Sequence, residues 1–300
     1  MTMIIDPLAI GLLLAAALMH ASWNTMLKAD RTDRLATFGV IMLTGSVLGG
    51  ALVPFLPAVA PAAWPWLAAS VAIHLAYYFF LLKAYAYGDL SHTYPIARGL
   101  GPLLVALISG RVLGEALRTQ DVLGVVLLSA GLLALALPAS RKAMATTPEQ
   151  RRRHRLATLF AVLTGFTIAG YIVADGLGVR AAGPTFEHKI AYIAWLNVVE
   201  GPWLMLLALW LRREAVVAYL RTGWWRGAAG GTIATIGYAI AIWGLSQGPM
   251  AHVAALRETS VLFGALMGTL LLGESFGPRR VAAAATIVAG LVLMNGPRLL

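Results

Sequence analysis

Arg98 and Arg257 each stand inside an apolar run, and a shift of 159 residues lays one on the other. A guanidinium presents a planar fork of donors that matches a carboxylate, phosphate or phosphonate. Two of them in apolar surroundings therefore point to anion recognition. On insertion scales a central Arg costs ~2.5–3.5 kcal/mol in a membrane, so both must face protein or water. The bland reading is a clamp, each guanidinium held by carbonyls or by a carboxylate such as Glu258 or Glu200. Neighbours on a helix point about 100° apart, so Glu258 is badly placed to pair with Arg257 itself.

Around Arg98, the segment Leu90–Pro102 puts Tyr94, Arg98 and Pro102 on one helical face, with Pro95, Gly99 and Gly101 interleaved. Proline removes a backbone donor and tends to break or kink a helix, so this stretch is expected to be broken, its freed backbone groups turned toward a cavity. Around Arg257 the equivalent run, Ala251–Ser260, keeps the cation and loses the prolines. Further candidates follow helical spacing. His20, Asn24 and Lys28 form a polar line with Trp23 beside it, and Tyr171 and Asp175 lie four apart. His74 and Tyr78 share a face, while Tyr238, Trp243 and Gln247 follow later in the chain. Arg98, Arg257, Tyr94, Asn24, Trp23, Tyr78, Tyr171 and Trp243 are the candidate substrate contacts. Glu258, His20, Lys28, His74 and Asp175 are the candidates for coupling or gating. His20 and Lys28 also have ordinary uses, as a packing histidine and an interfacial anchor.

The elements that must position these residues are membrane helices. A composition of 59% hydrophobic and 12% charged residues, with mean hydropathy +0.78, is foreign to soluble domains. Segments near 7–27, 35–57, 64–87, 93–113, 119–138, 156–176, 189–211, 224–246, 251–272 and 278–296 approach the roughly 20 apolar residues of a span. Met1–Asp6 carries no Lys or Arg and no small-x-small site follows, so the first segment reads as a retained helix and not as a signal peptide. Trp64, Trp66, Trp224 and Trp225 near segment ends read as interfacial anchors.

The match at the 159-residue offset extends through Leu103/Leu262, Gly114/Gly273, Glu115/Glu274, Gly131/Gly290 and Pro138/Pro297. The expected fold is therefore an all-α polytopic membrane protein of ten transmembrane helices in two five-helix repeats. These are residues 1–138 and 156–300, joined by a basic linker at 139–155. An odd number of helices per repeat makes the second enter the membrane from the opposite face, which gives inverted repeats, a transporter design. The net charge of +10 sits mostly in one set of loops, including Lys28, Arg34, Arg141, Lys142, Arg151–Arg155, Arg212 and Arg213. Positive residues stay cytoplasmic, so both termini are expected on the other side, and no nucleic-acid partner is implied.

With no cysteine, thiol nucleophiles, thiolate metal sites and disulfides are excluded. There is no His-x-x-x-His and no Asp-rich metal motif. The reading is not an enzyme, with no cofactor and no metal. It is a secondary transporter in a plasma membrane, of bacterial inner-membrane type. It moves a small anionic or zwitterionic metabolite by alternating access, driven by a proton or substrate gradient. The alternatives are an exporter of cationic or lipophilic drugs and a flippase for an anionic lipid head group. The partners are a small-molecule substrate and the lipid bilayer, in a monomer or homodimer.

HASWN at 20–24 with Lys28, GDLSHTYPIARG at 88–99, and LGE at both 113–115 and 272–274 carry a resemblance. The chain resembles the drug/metabolite transporter superfamily, specifically its EamA-type members, over essentially its whole length. The resemblance implies a central cavity among helices three, four, eight and nine, with helices one and six contributing. It also implies small-metabolite transport without naming a substrate. The superfamily's smallest members carry quaternary amines on a glutamate in their first helix. No Asp or Glu lies inside the first helix here, which counts against an organic cation.

Overall fold

The computed structural model describes residues 5–30, 32–112, 114–115, 117–136, 147–272 and 277–295. The described residues form helices and no strand: α1 (Pro7–Ala29), α2 (Arg34–Leu52), α3 (Trp64–Tyr87), α4 (Leu90–Val112), α5 (Thr119–Ala136), α6 (Pro148–Ala181), α7 (Phe186–Thr222), α8 (Trp224–Gly244), α9 (Met250–Arg257), α10 (Thr259–Leu272) and α11 (Pro278–Asn295). Local chemistry sets several starts. Asp33 Oδ1 accepts from the Leu35 and Ala36 amides at 3.0 Å and caps α2. Thr147 and Gln150 form a reciprocal capping box at α6, with Pro148 at its first position.

Seven of the helical segments are long and apolar enough to cross a membrane by length and composition. The molecule is inside out relative to a soluble protein. Trp210 is 81% exposed, Leu270 72% and Leu8 71%, whereas Arg98, Asp175, Glu200 and Glu258 are all below 9%. Apolar side chains facing outward and ionic ones facing inward suit a lipid solvent.

Each of the ten expected segments is largely helical over its described residues, but the break lies elsewhere. α4 is one helix with Pro95 and Pro102 inside it. The discontinuity falls in the ninth span, at Glu258, where the sequence has neither Pro nor Gly. There the Glu258 amide donates to Ala255 O and the Val261 amide to Glu258 O, both at 3.0 Å. The Thr259 hydroxyl takes Leu256 O at 2.7 Å. This is a tightened three-residue turn, reinforced by a side chain that competes for a backbone carbonyl. α6 and α7 also outrun their expected limits. The linker residues 148–155 are its first turns, and α7 continues past a kink at Arg212, with Val216 and Tyr219 packed beneath it. Leu113, Gly273 and Glu274 of the LGE pair, Arg141 and Lys142 of the linker, and Pro138 and Pro297 of the repeat match lie outside the described residues.

The packing scheme exchanges the halves. α2 packs on α7 and α5 on α11, α3 packs on α6 as α1 does on α8, and α4 lies on α6 as α10 lies on α1. Contacts between helix ends fall into two sets. Arg153 donates to Ala86 O and Arg279 to Ala134 O, and His92 contacts Ala136 O and Thr158, all at one end. At the other end the Ala60 amide reaches Ala182 O, and Arg180 reaches Glu115, Leu245 O and Gly248 O.

The α5–α11 pair depends on backbone approach. A Cβ at Gly290 would stand 2.5 Å from Gly124 O and 2.6 Å from Leu128 N, and one at Gly124 would stand 2.7 Å from Gly290 O. Small residues permit such contact between membrane helices. Gly290→Ala is expected to push the helices apart and to cost ~1–3 kcal/mol, read as a lower melting temperature of the detergent-purified protein. Gly264→Ala, where a Cβ meets nothing within 4 Å, serves as the control.

Candidate functional site

Arg98 on α4 and Arg257 at the end of α9 line one central cavity with His20, Ala16 and Ala17 of α1 and Ala234, Gly237, Tyr238 and Ala241 of α8. Its volume is about 20 Å³, roughly the space one water needs. The wall is built from small residues because α1 and α8 approach closely: a Cβ at Gly237 would stand 3.0 Å from Met19 Cβ and 3.3 Å from Ala16 O.

The two arginines differ. Arg98 Nε lies 2.9 Å from Glu258 Oε2, and its Nη2 donates to Ser260 Oγ at 3.1 Å. Neither Arg98 Nε nor Glu258 Oε2 makes an aligned hydrogen bond, so the contact is a charge pair seen off the N–H axis. Glu258 stands at the turn between α9 and α10. Arg257 has no ion pair among the described residues, and its buried Nη1 has no hydrogen-bond partner. Its guanidinium carbon lies 5.6 Å from the centre of the Tyr238 ring, a cation–π contact. A buried donor left without a partner is costly and calls for an explanation.

A second polar cluster adjoins the cavity through Tyr238. Its hydroxyl donates to Asp175 Oδ2 at 2.6 Å and lies 3.1 Å from His74 Nε2. The Ser70 hydroxyl donates to Asp175 Oδ1 at 2.5 Å. His74 stacks on Tyr171 at 4.1 Å, and its Nδ1 lies 3.9 Å from Glu200 Oε2. Tyr78 donates to Glu200 Oε1 at 2.5 Å.

Of the sequence candidates, the cavity gathers Arg98, Arg257 and His20, while His74, Asp175, Tyr171 and Tyr78 gather in the adjoining cluster. The others lie apart from the cavity wall. Asn24 Nδ2 donates to His20 O within α1. Trp23 stacks on Phe38 at 5.9 Å with its edge to His20, Tyr94 is half-buried, Lys28 is exposed at the end of α1, and Trp243 packs on the main core. Tyr238, Ser70, Ser260 and the buried Glu200 complete the site. Ser70 stands four residues before His74, a spacing that could have revealed it. The partner of Tyr238 is set only by the fold.

One end of this region is closed by a clasp. Arg180 Nη1 meets Glu115 Oε1 at 3.0 Å, Nε and Nη2 donate to Leu245 O and Gly248 O, and Glu115 Oε2 accepts the Met250 amide at 2.9 Å. Glu115, of the first LGE, thereby caps the start of α9. Gly114, at φ +63°, makes the turn that presents it.

A model of the EamA-like transporter family matches residues 7–137 and 155–296. "Uncharacterized protein PA1977" of Pseudomonas aeruginosa is 28% identical over 198 residues, a match that spans 64% of this chain and 61% of that relative's length. A solved structure described as "Crystal structure of protein" aligns over 97% of this chain and 96% of its own, with a TM-score of 0.64 and 18% identity. It shares the fold.

Removing one member of a buried ion pair strands the other and costs ~3–5 kcal/mol, whereas replacing both by apolar groups is often neutral. Arg98→Met and Glu258→Leu are therefore each expected to lower thermal stability strongly, and the double variant less than the two singles combined. Strictly additive losses in a double-mutant cycle would mean that the pair is not coupled.

Proposed function

From the premise that the chain belongs to the EamA-like transporter family, we propose that this multi-pass membrane transporter carries a small anionic or zwitterionic metabolite, with Arg257 as the group that holds its oxyanion. The unpaired buried guanidinium of Arg257 carries this reading. Arg98 belongs to the clamp with Glu258 and Ser260. The local charges of Arg98 and Glu258 offset each other and leave Arg257 to attract the anion, with the Tyr238 ring beneath it and His20 beside it.

Transport proceeds by alternating access between two inverted five-helix repeats, powered by a proton or substrate gradient. Two observations support this. The helix pairs map onto one another when the halves are exchanged. The cavity is also far smaller than the roughly 300–1,000 Å³ of ligand pockets, so a metabolite enters only after α1 and α8 separate, along a seam of small residues suited to parting. The clasp of Arg180 and Glu115 would close the non-cytoplasmic end, with the basic loops and the start of α6 in the cytoplasm and both termini outside a bacterial-type inner membrane. The small-molecule substrate and the bilayer suffice as partners for a monomer, or for a homodimer with one such site in each copy.

A thermal-stability screen of the detergent-purified protein against amino acids, organic acids, sugar phosphates, phosphonates and cationic drugs tests the assignment. A ligand at a hundred times its Kd adds ~2.7 kcal/mol. Stabilisation by an anionic or zwitterionic class is expected in the parent and absent in Arg257→Gln, with the unliganded melting temperature of that variant near the parental value. Stabilisation by cations that persists in Arg257→Gln would make this a drug exporter instead, and a response confined to anionic lipids would make it a flippase.

A further inference from the structure

The contacts of Tyr238 fix a number of protons. Its hydroxyl carries one hydrogen and faces two groups, Asp175 Oδ2 at 2.6 Å and His74 Nε2 at 3.1 Å. His74 Nδ1 lies 2.9 Å from the Ser70 carbonyl oxygen, which can only accept, so Nδ1 carries a hydrogen. The remaining carboxylate oxygen, Asp175 Oδ1, accepts from the Ser70 hydroxyl. With Asp175 ionised and His74 neutral, the Tyr238 hydrogen serves only one of its two neighbours, and the other contact sets lone pair against lone pair. One extra proton satisfies both. It sits either on His74 Nε2, with Tyr238 donating to the carboxylate, or on Asp175 Oδ2, which then donates to the Tyr238 oxygen while Tyr238 donates to Nε2. Passing between these forms shifts one hydrogen across each contact and leaves the total unchanged.

We propose that Asp175, Tyr238 and His74, braced by Ser70, form a proton-binding site, and that its deprotonation frees Tyr238 and opens the central cavity. The inference rests on the central cavity being the transport site. Tyr238 joins the two regions, since the same ring lines the cavity and carries Arg257 on its face. When the extra proton leaves, one of the two Tyr238 contacts has to be given up, and the wall beneath Arg257 moves with it.

The surroundings complete the arrangement. Glu200 of α7, 3.9 Å from His74 Nδ1, faces the imidazolium and offsets its charge, while Tyr78 occupies its other oxygen. Tyr77 of α3 and Tyr171 of α6 flank the His74 ring at 6.4 and 4.1 Å. Tyr192 of α7 lies within electrostatic reach of Asp175. On the cavity side stand Arg257 of α9 and His20 of α1, with Arg98 of α4 already held by Glu258. All of these groups are set among packed helices, so bulk water does not mask the change of charge.

The chain has no cysteine, which allows a test without any substrate. Ala234→Cys places a reporter thiol on the cavity wall, and its reaction with N-ethylmaleimide in proteoliposomes is followed from about pH 5 to pH 8. The same reporter is placed in Asp175→Asn and Tyr238→Phe backgrounds. The Asn amide donates to Tyr238 in place of the protonated acid and cannot titrate, and Phe keeps a ring under Arg257 without the hydroxyl. Ionisation of the thiol itself is common to all three proteins. Over that range the labelling rate is expected to rise about fivefold more in the parent than in Asp175→Asn, the size of a typical allosteric coupling. Tyr238→Phe is expected to behave like Asp175→Asn, and it decides the matter alone if the Asn variant does not fold. Identical pH profiles in the parent and either variant would overturn the proposal. Because no substrate is added, such a failure is separate from any failure of Arg257 to bind an anion.

Discussion

The ion contact of Arg98 with Glu258, 2.9 Å across the junction of the two halves, is the constraint on which the rest of the site depends. A guanidinium at membrane depth has to face the bundle interior, where it pairs or lines a cavity, and the carboxylate that pairs with Arg98 lies 160 residues along the chain. To supply it, the ninth span must stop being a regular helix. In a continuous helix Glu258 would follow Arg257 around the axis. At the tightened turn, with the Thr259 hydroxyl on Leu256 O, Glu258 meets Arg98 of α4, while Arg257 has no ion pair among the described residues. The two arginines of one cavity therefore differ in their pairing, Arg98 with Glu258 and Arg257 with none among the described residues.

This explains how much of the site was legible in the sequence. The apolar periods, the two arginines and the offset between them stand in the chain itself, as do the polar spacings of His74 with Tyr78 and Tyr171 with Asp175. The difference between Arg98 and Arg257 does not, because it depends on a contact across 160 residues. Proline was a misleading guide. Pro95 and Pro102 fix φ at a helical value, and neighbouring helices can satisfy the carbonyls they leave free, so α4 stays whole. The actual break is made by hydrogen bonds among Ala255, Leu256, Glu258 and Thr259, residues with no strong local signature. The repeated Leu-Gly-Glu announces a turn, but that Glu115 would cap α9 and hold Arg180 follows only from the folded arrangement.

The two polar regions also divide the chemistry. Arg257 shares its cavity with alanines and a glycine and with Arg98, His20 and Tyr238, where charges act with little screening by water. Around Asp175 both carboxylate oxygens, the Tyr238 hydroxyl and both His74 ring nitrogens have neighbours at hydrogen-bond distance, which makes that cluster sensitive to the gain or loss of a single hydrogen. Tyr238 belongs to both, with its ring in one and its hydroxyl in the other. A single aromatic residue with one rotatable hydroxyl is a compact way to make two binding events sense each other without any long path between them.

α6 gives this arrangement an outward expression. At 34 residues and 1.5 Å per residue it is about 51 Å long, well beyond a hydrocarbon core of roughly 30 Å. The same unbroken rod carries Arg180 at one end, Asp175 near it, and the exposed Arg151, Arg152, Arg153 and Arg155 at the other. It is held at both ends, by Arg180 on Glu115, Leu245 O and Gly248 O and by Arg153 on Ala86 O. One rigid element thus spans from the buried carboxylate of Asp175 to a cluster of exposed arginines, and any tilt of it would move both ends together.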